Sequence, residues 1–301
     1  MFYIQVLILV IVLVIFVTAF YFSRVVIYPI TREPQYTLSM EIKEGRIIRE
    51  KFDEYTKEEV YIKSPYGYYL YGLYFPMEGS NKAVIICHGI TWSLFGAVKY
   101  VDIFLKRGFN VLVYDHRNHG RSGGKFTTYG LREKYDLKAC TDWMFQRCGD
   151  NLIVGTMGES MGAATVLQNA AIDDRISFCI SDSAYSDLRK LFKHILKMNF
   201  HLPIFPLFYV TSFITGIWTG MFFRTVSPIK DIEKINIPVF FIHGNEDRLI
   251  PKEMSIEMYN AKKGLKKLYI APGAGHIDSY CRNMEEYDRL VGEFLTEAGI
   301  K

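Results

Sequence analysis

"NLIVGTMGESMGAATVLQ", Asn151 to Gln168, decides the fold. Asn151 to Thr156 are apolar and β-prone and read as a buried strand, while Ala163 to Gln168 are good helix formers. Between them Gly158-Glu159-Ser160-Met161-Gly162 sets one serine between two glycines. A strand that reverses directly into a helix holds the residue at the turn in a strained conformation, which bulky neighbours obstruct. A G-x-S-x-G match alone is weak, and the strand before and the helix after give it weight. Such a turn exposes the Ser160 hydroxyl at the carboxyl edge of a sheet. It also aims the first amides of the helix at any anion that develops there.

Outward from this turn, strand-like and helix-like runs alternate. β character covers Glu59 to Lys63, Tyr68 to Phe75, Ala83 to Cys87 and Asn110 to Tyr114, and recurs at Ile176 to Ser181, Pro238 to Ile242 and Lys267 to Ile270. Helical periodicity covers Trp92 to Arg107, Glu133 to Arg147, Glu253 to Ala261 and Met284 to Ala298. This alternation predicts an α/β fold with a mostly parallel sheet and helices on both faces. No internal repeat or low-complexity tract interrupts it.

Two apolar stretches stand outside the rhythm. Phe2 to Phe22 carries no charge, with aromatic residues at both ends, and is long enough to cross a bilayer. We expect an uncleaved transmembrane anchor over 2–22. A cleaved signal peptide competes, with Val17-Thr18-Ala19 as small residues for cleavage, but no Lys or Arg precedes the run. Arg24 and Arg32 follow it, which favours a single pass with the catalytic domain on the cytoplasmic side. Residues 23–54 read as a membrane-proximal linker and first strand region, and 55–301 as the main domain, with a cap insertion at about 185–230. Within that insertion Asn199 to Phe223 contains no Asp, Glu, Lys or Arg. Pro203, Pro206, Gly216 and Gly220 argue against a second span and for a cover over the sheet edge, facing a pocket or the bilayer surface.

Of 301 residues, 36 are basic and 32 acidic, a net charge of +4 with no long basic run, so nucleic acid is not an expected partner. Five cysteines at no metal-like spacing read as reduced thiols. His116 and His119 lack a second ligand pair for a metal, and Asp115 with Arg117 reads as fixing a sharp loop. No G-x-G-x-x-G opens a helix after the first strand, so neither a dinucleotide nor another cofactor is expected.

A serine hydroxyl needs a base. "APGAGHID" puts His276 on a loop after the strand at 267–270, and "FIHGNEDRLIP" puts Asp247 past the strand at 238–242, where it can orient the imidazole. Glu246 and Asp182 are rival carboxylates. His88 and His243, each followed by glycine at a strand end, read as serving loop geometry, with His88 also a candidate for lining the pocket.

These motifs, together with His88-Gly89 and Asp115 to Ser122, each after a strand, resemble the α/β-hydrolase superfamily from about Tyr55 to the C-terminus. Within it the chain is similar to membrane-anchored bacterial serine hydrolases with a short cap. The resemblance implies Ser160 as nucleophile, His276 as general base and acid, Asp247 as orienting carboxylate, and the backbone N–H groups of Ile90 and Met161 as oxyanion hole. The expected activity is hydrolysis of a hydrophobic carboxylic ester through an acyl-serine. Phe208 and Trp218 of the apolar insertion, with His88, are the candidate substrate contacts, and the bilayer is a partner. A peptidase or thioesterase is the alternative within the fold, and a non-catalytic membrane binding protein the alternative outside it.

Overall fold

The computed structural model describes residues 1–300. Eight strands form one sheet: β1 (Glu58–Lys63), β2 (Tyr69–Phe75), β3 (Lys82–Cys87), β4 (Asn110–Tyr114), β5 (Ile153–Glu159), β6 (Ile176–Asp182), β7 (Val239–Gly244) and β8 (Lys266–Ala271). Their spatial order is β1-β2-β4-β3-β5-β6-β7-β8. β1 and β2 pair antiparallel with their neighbours, and every pairing from β4 to β8 is parallel. The expected α/β architecture is therefore present.

Alternation along the buried strands divides the core in two. On β3, Ala83, Ile85 and Cys87 face one side, and Val84 and Ile86 the other. Among the described residues thirteen α-helices accompany the sheet: α1 (Phe2–Ile27), α2 (Pro34–Lys43), α3 (Arg49–Glu54), α4 (Phe95–Val98), α5 (Val101–Leu105), α6 (Glu133–Cys148), α7 (Met161–Ala170), α8 (Leu188–Phe200), α9 (Leu207–Thr219), α10 (Pro228–Asp231), α11 (Glu253–Ala261), α12 (Ser279–Arg282) and α13 (Met284–Glu297). α6, α7 and α11 pack on the first face with the insertion helices α8 and α9, and α4, α5 and α13 on the second.

Two stretches differ from the sequence expectation. Residues 23–54 contain no strand and little linker: α1 continues to Ile27, and α2 and α3 follow before β1 begins at Glu58. The cause is tertiary, because Ser23 and Ile27 are buried and so prolong the helix beyond its apolar run. Trp92 to Arg107 is not one helix but the short pair α4 and α5. The break between them turns Lys99 and Tyr100 inward onto Glu159, at 2.7 and 3.0 Å.

α1 is long and apolar enough to cross a membrane, and its first two turns and middle are exposed. Its last turns pack against α9. Ser23 Oγ meets Thr215 Oγ1 at 2.9 Å, Phe20 stacks on Trp218 and Phe22 meets Phe200 edge-to-face. At its end Thr127 N–H donates to Ile27 O and Tyr129 O–H to Val26 O.

Candidate active site

Ser160 stands between β5 and α7 with φ 53° and ψ −116°, a left-handed backbone that a non-glycine residue occupies only when its surroundings compel it. The flanking glycines show the compulsion. A Cβ on Gly158 would lie 2.4 Å from the Gly162 carbonyl, and one on Gly162 would lie 2.3 Å from the Cys87 carbonyl. The helix therefore crosses the ends of β3 and β5 at a separation only glycine permits. Ser160 N–H is fixed by Asp182 O at 2.8 Å.

Three loops at the carboxyl ends of the strands converge on this serine. His276 Nε2 accepts from Ser160 Oγ–H at 2.9 Å, and His276 Nδ1–H donates to Asp247 Oδ2 at 2.7 Å. Asp247 Oδ1 accepts the N–H groups of Leu249 and Ile250, both at 2.9 Å. Burial pushes the Asp247 carboxyl up. The hydrogen bonds from His243 and His276, the positive character of His276 and the Ile250 N–H outweigh it and hold the group well below the usual carboxylate range. The acid is thus ionised wherever an imidazolium beside it has to be stabilised.

The rival carboxylates lie elsewhere. Glu246 is exposed, because adjacent side chains leave the backbone on opposite sides. Asp182 is buried against Ser183 Oγ and Tyr287 O–H at 2.9 and 3.0 Å, and burial raises its pKa.

Ile90 and Met161 both line a small apolar cavity of about 130 Å³ that reaches Ser160. Met161 is the first residue of α7, so its N–H has no acceptor within the helix. On the other loop Gly89 N–H points to Glu159 Oε1 at 3.4 Å and Thr91 N–H donates to His119 Nε2 at 3.3 Å. Among the described residues no acceptor takes the Ile90 N–H that lies between them. The arrangement can accept a proton from Ser160 and supply two amides to an oxygen beside it.

Two expected substrate contacts need correction. His88 is fully buried and is not among the residues that line the cavities at Ser160 and His276. Its Nδ1–H donates to Gly89 O at 2.6 Å and its Nε2 accepts from His116 N–H at 2.9 Å, so the ring braces two loops. Trp218 lies outside the two apolar cavities near Ser160, against Phe20 and Arg24 of α1, because α1 offers it an aromatic and cationic surface. Phe208 is buried and does line a cavity, between α1, α8 and α9.

The structure also shows groups that the sequence reading passed over. Glu159, inside the G-x-S-x-G turn, takes Lys99, Tyr100 and the Gly89 amide, tying the Gly89–Ile90 loop to the serine turn. Burial lowers the Lys99 pKa, but the carboxylates of Glu159 and Glu41 overcome it and raise the pKa above its ordinary value. His243 donates from Nε2 to Ile250 O at 2.8 Å with Asp247 Oδ2 at 3.1 Å, and its Nδ1 accepts from Ser255 O–H. It steadies the acid, and only its place four residues before Asp247 hinted at this.

His88, His116 and His119 pack ring against ring. Burial first, and their mutual proximity second, hold His116 down to about 3 and His88 well below its ordinary value. Asp115 fixes the loop that carries two of them by accepting Leu94 N–H and Arg121 N–H, at 2.6 and 2.8 Å. A polar cavity of about 490 Å³ adjoins the His276 loop, with Arg46, Glu41, Lys99, Trp92 and Asp278 in its walls.

Comparison with known proteins agrees with this layout. The family model for X-Pro dipeptidyl-peptidase (S15 family) matches residues 37–196, just over half of the chain. YqkD of Bacillus subtilis is 35% identical over 276 residues, 91% of this chain and 90% of that one. The Pyrococcus furiosus esterase Pf2001 superposes with a TM-score of 0.68 at 29% identity, covering 83% of this chain and 96% of its own. Est1E from Butyrivibrio proteoclasticus, solved with ferulic acid bound, superposes with a TM-score of 0.64 over 80% of this chain and all of its own. Its 23% identity makes that a likeness of fold alone. With sheet order, turn geometry and family model in agreement, the chain belongs to the α/β-hydrolase superfamily, in the family described as X-Pro dipeptidyl-peptidase (S15).

Proposed function

We propose that the protein is a membrane-anchored serine hydrolase that cleaves hydrophobic carboxylic esters. The observation that carries the reading is the unbroken hydrogen-bond chain from Ser160 through His276 to Asp247, at the end of a cavity walled by apolar side chains.

In the first half-reaction Ser160 Oγ forms a bond to the ester carbonyl carbon while its proton passes to His276 Nε2. The Ile90 and Met161 amides hold the oxyanion. The carbon–oxygen bond to the alcohol then breaks, and His276 returns the proton to the leaving oxygen. In the second half a water gives its proton to His276 and its oxygen to the acyl carbon. Ser160 leaves with the proton, and the acid departs. Asp247 keeps the imidazole oriented throughout and faces its transient charge.

The likeness to an esterase at 29% identity supports ester over amide. The family's description favours a second reading, a peptidase, and the carboxylates of the polar cavity suit a peptide's ammonium group. Glu41 and Glu44 are already paired with Arg46, and Asp278 with Arg282. Membrane anchoring is supported by the length of α1 and by its tertiary seat. Cleavage after Ala19 would take Ala19 from its buried place and leave Phe20, which stacks on Trp218, as a charged chain end. Arg24 and Arg32 support a cytoplasmic domain. An impermeant thiol reagent in intact cells then reaches the half-buried Cys148 only after permeabilisation, and earlier modification would reverse the orientation.

The central test is covalent. A fluorophosphonate labels the wild type and not Ser160→Ala. The wild type hydrolyses p-nitrophenyl esters in preference to dipeptidyl X-Pro p-nitroanilides. Equal labelling of both proteins removes Ser160 from the reaction, and preference for the anilide makes the enzyme a peptidase.

A further inference from the structure

The cavity at Ser160 is too small for a long acyl chain, yet it does not end blindly. Tyr129, Phe192 and Ile195 line it and also line a second cavity, of about 310 Å³. That second cavity lies between α8, α9 and the last turns of α1, with Phe22, Val25 and Val26 as its α1 wall and Phe208 opposite. The two are neighbouring apolar chambers that meet at the three shared side chains, which would form the waist of one channel. The larger chamber alone is of the size of small-ligand sites, about 300 Å³ upward.

The mouth of the channel sits in a particular place. Val25 and Phe200 are 44% and 47% exposed at its rim, where α1 emerges from the apolar run that ends at Phe22. A molecule entering there comes from the level of the bilayer surface. The walls are almost wholly carbon. Exposed Asn199 stands at the rim, the Tyr129 hydroxyl is spent on Val26 O, and Thr211 Oγ1 is buried with no partner. Such a lining accepts a hydrocarbon chain and offers a polar ligand little beyond the one Thr211 hydroxyl.

We infer that the α1–cap channel is the acyl site for a bilayer lipid ester, and that the anchor helix is itself one wall of the substrate site. This rests on the esterase reading above and deepens it. The acyl chain of the substrate runs from Ser160 through the waist and along Val25 and Val26 towards the membrane, so the anchor takes part in chain-length selection as well as in tethering.

The experiment uses the full-length protein in phospholipid nanodiscs and two fluorophosphonates with a terminal diazirine, one with a four-carbon and one with a dodecyl or longer chain. Each reacts by forming a bond from Ser160 Oγ to phosphorus and releasing fluoride. After photolysis the long probe is expected to cross-link to the tryptic peptide 25–32, and the short probe to the segment around Leu191 and Phe192. In parallel, Val25→Trp narrows the mouth at a half-exposed position that tolerates bulk. It is expected to lower the ratio of kcat/KM for dodecanoate over butyrate esters by about tenfold, since each buried methylene contributes roughly three- to four-fold. Cross-linking of the long probe only to other segments, with an unchanged ratio in Val25→Trp, overturns the inference and leaves the channel to another apolar occupant. Absence of labelling at Ser160 by either probe instead strikes the esterase reading itself.

Discussion

The turn at Ser160 and the seat of α1 are both tightly packed, but for opposite reasons. At the turn, backbone meets backbone: glycines at 158 and 162 let α7 cross β3 and β5, and an added Cβ would meet a main-chain carbonyl within 2.4 Å. At the seam of α1 with α8 and α9, side chain meets side chain, through one hydroxyl pair and aromatic contacts at 4.9 and 5.5 Å, with an apolar cavity left beside them. Backbone crowding permits a single arrangement, whereas side-chain packing tolerates exchange and leaves space that a ligand can use. Changes at the turn should therefore damage every reaction equally, and changes at the seam should discriminate among substrates or act on stability alone.

The largest expected effect tests whether the turn region acts as one unit with its acid. Asp247→Asn keeps the two amide contacts to Leu249 and Ile250 but removes the charge facing His276. It should lower kcat by about 10³–10⁴-fold for all acyl lengths alike, measured on butyrate and dodecanoate esters. A loss confined to one chain length would break the contrast. Gly162→Ala should come next. Its Cβ must push the Cys87 carbonyl away, moving Met161 N–H off the oxyanion position. A misplacement of this order costs about a hundredfold in kcat, together with about 1–3 kcal/mol of stability by denaturant titration. Wild-type activity in this variant would show that the crowding at the turn is not functional.

The smallest effect is expected at the seam. Thr215 Oγ1–H donates to Thr211 O at 2.8 Å, so Ser23 is the donor in the Ser23–Thr215 pair. Ser23→Ala deletes that donor and leaves Thr215 bonded. It should cost about 1 kcal/mol of stability and leave butyrate kcat within about twofold. A catalytic defect as large as that of Gly162→Ala would mean that the seam is as rigidly coupled to the serine as the turn is.

The turn could be read from the chain because its causes are local. Strand, reversal and helix follow within eighteen residues, and small neighbours around Ser160 are a steric requirement visible in any one sequence. The loops that carry Asp247 and His276 were legible for a related reason, since each follows an apolar strand in the order the fold demands. The resemblance pointed to Asp247 as the carboxylate that meets the imidazole, but the residues alone left Glu246 and Asp182 as rivals, because all three follow strands. Side-chain direction and burial settle it, turning Glu246 to solvent and Asp182 to Tyr287. The same limit explains the corrections at His88 and Trp218. A histidine at a strand end and a tryptophan in an apolar insertion look like pocket residues until the neighbouring loops and α1 are in place.

By itself, then, the sequence determined the alternation of strands and helices, the strained serine, the loops of its partners and the apolar helix at the N-terminus. All of these are properties of short, contiguous segments. The tertiary structure alone decided that α1 extends to Ile27 on α9, that Lys99 and Tyr100 converge on Glu159, that His243 braces Asp247, and that two apolar cavities sharing Tyr129, Phe192 and Ile195 lie between Ser160 and α1. Each of these depends on residues far apart in the chain, and their contacts arise only once the sheet has set the distances between them.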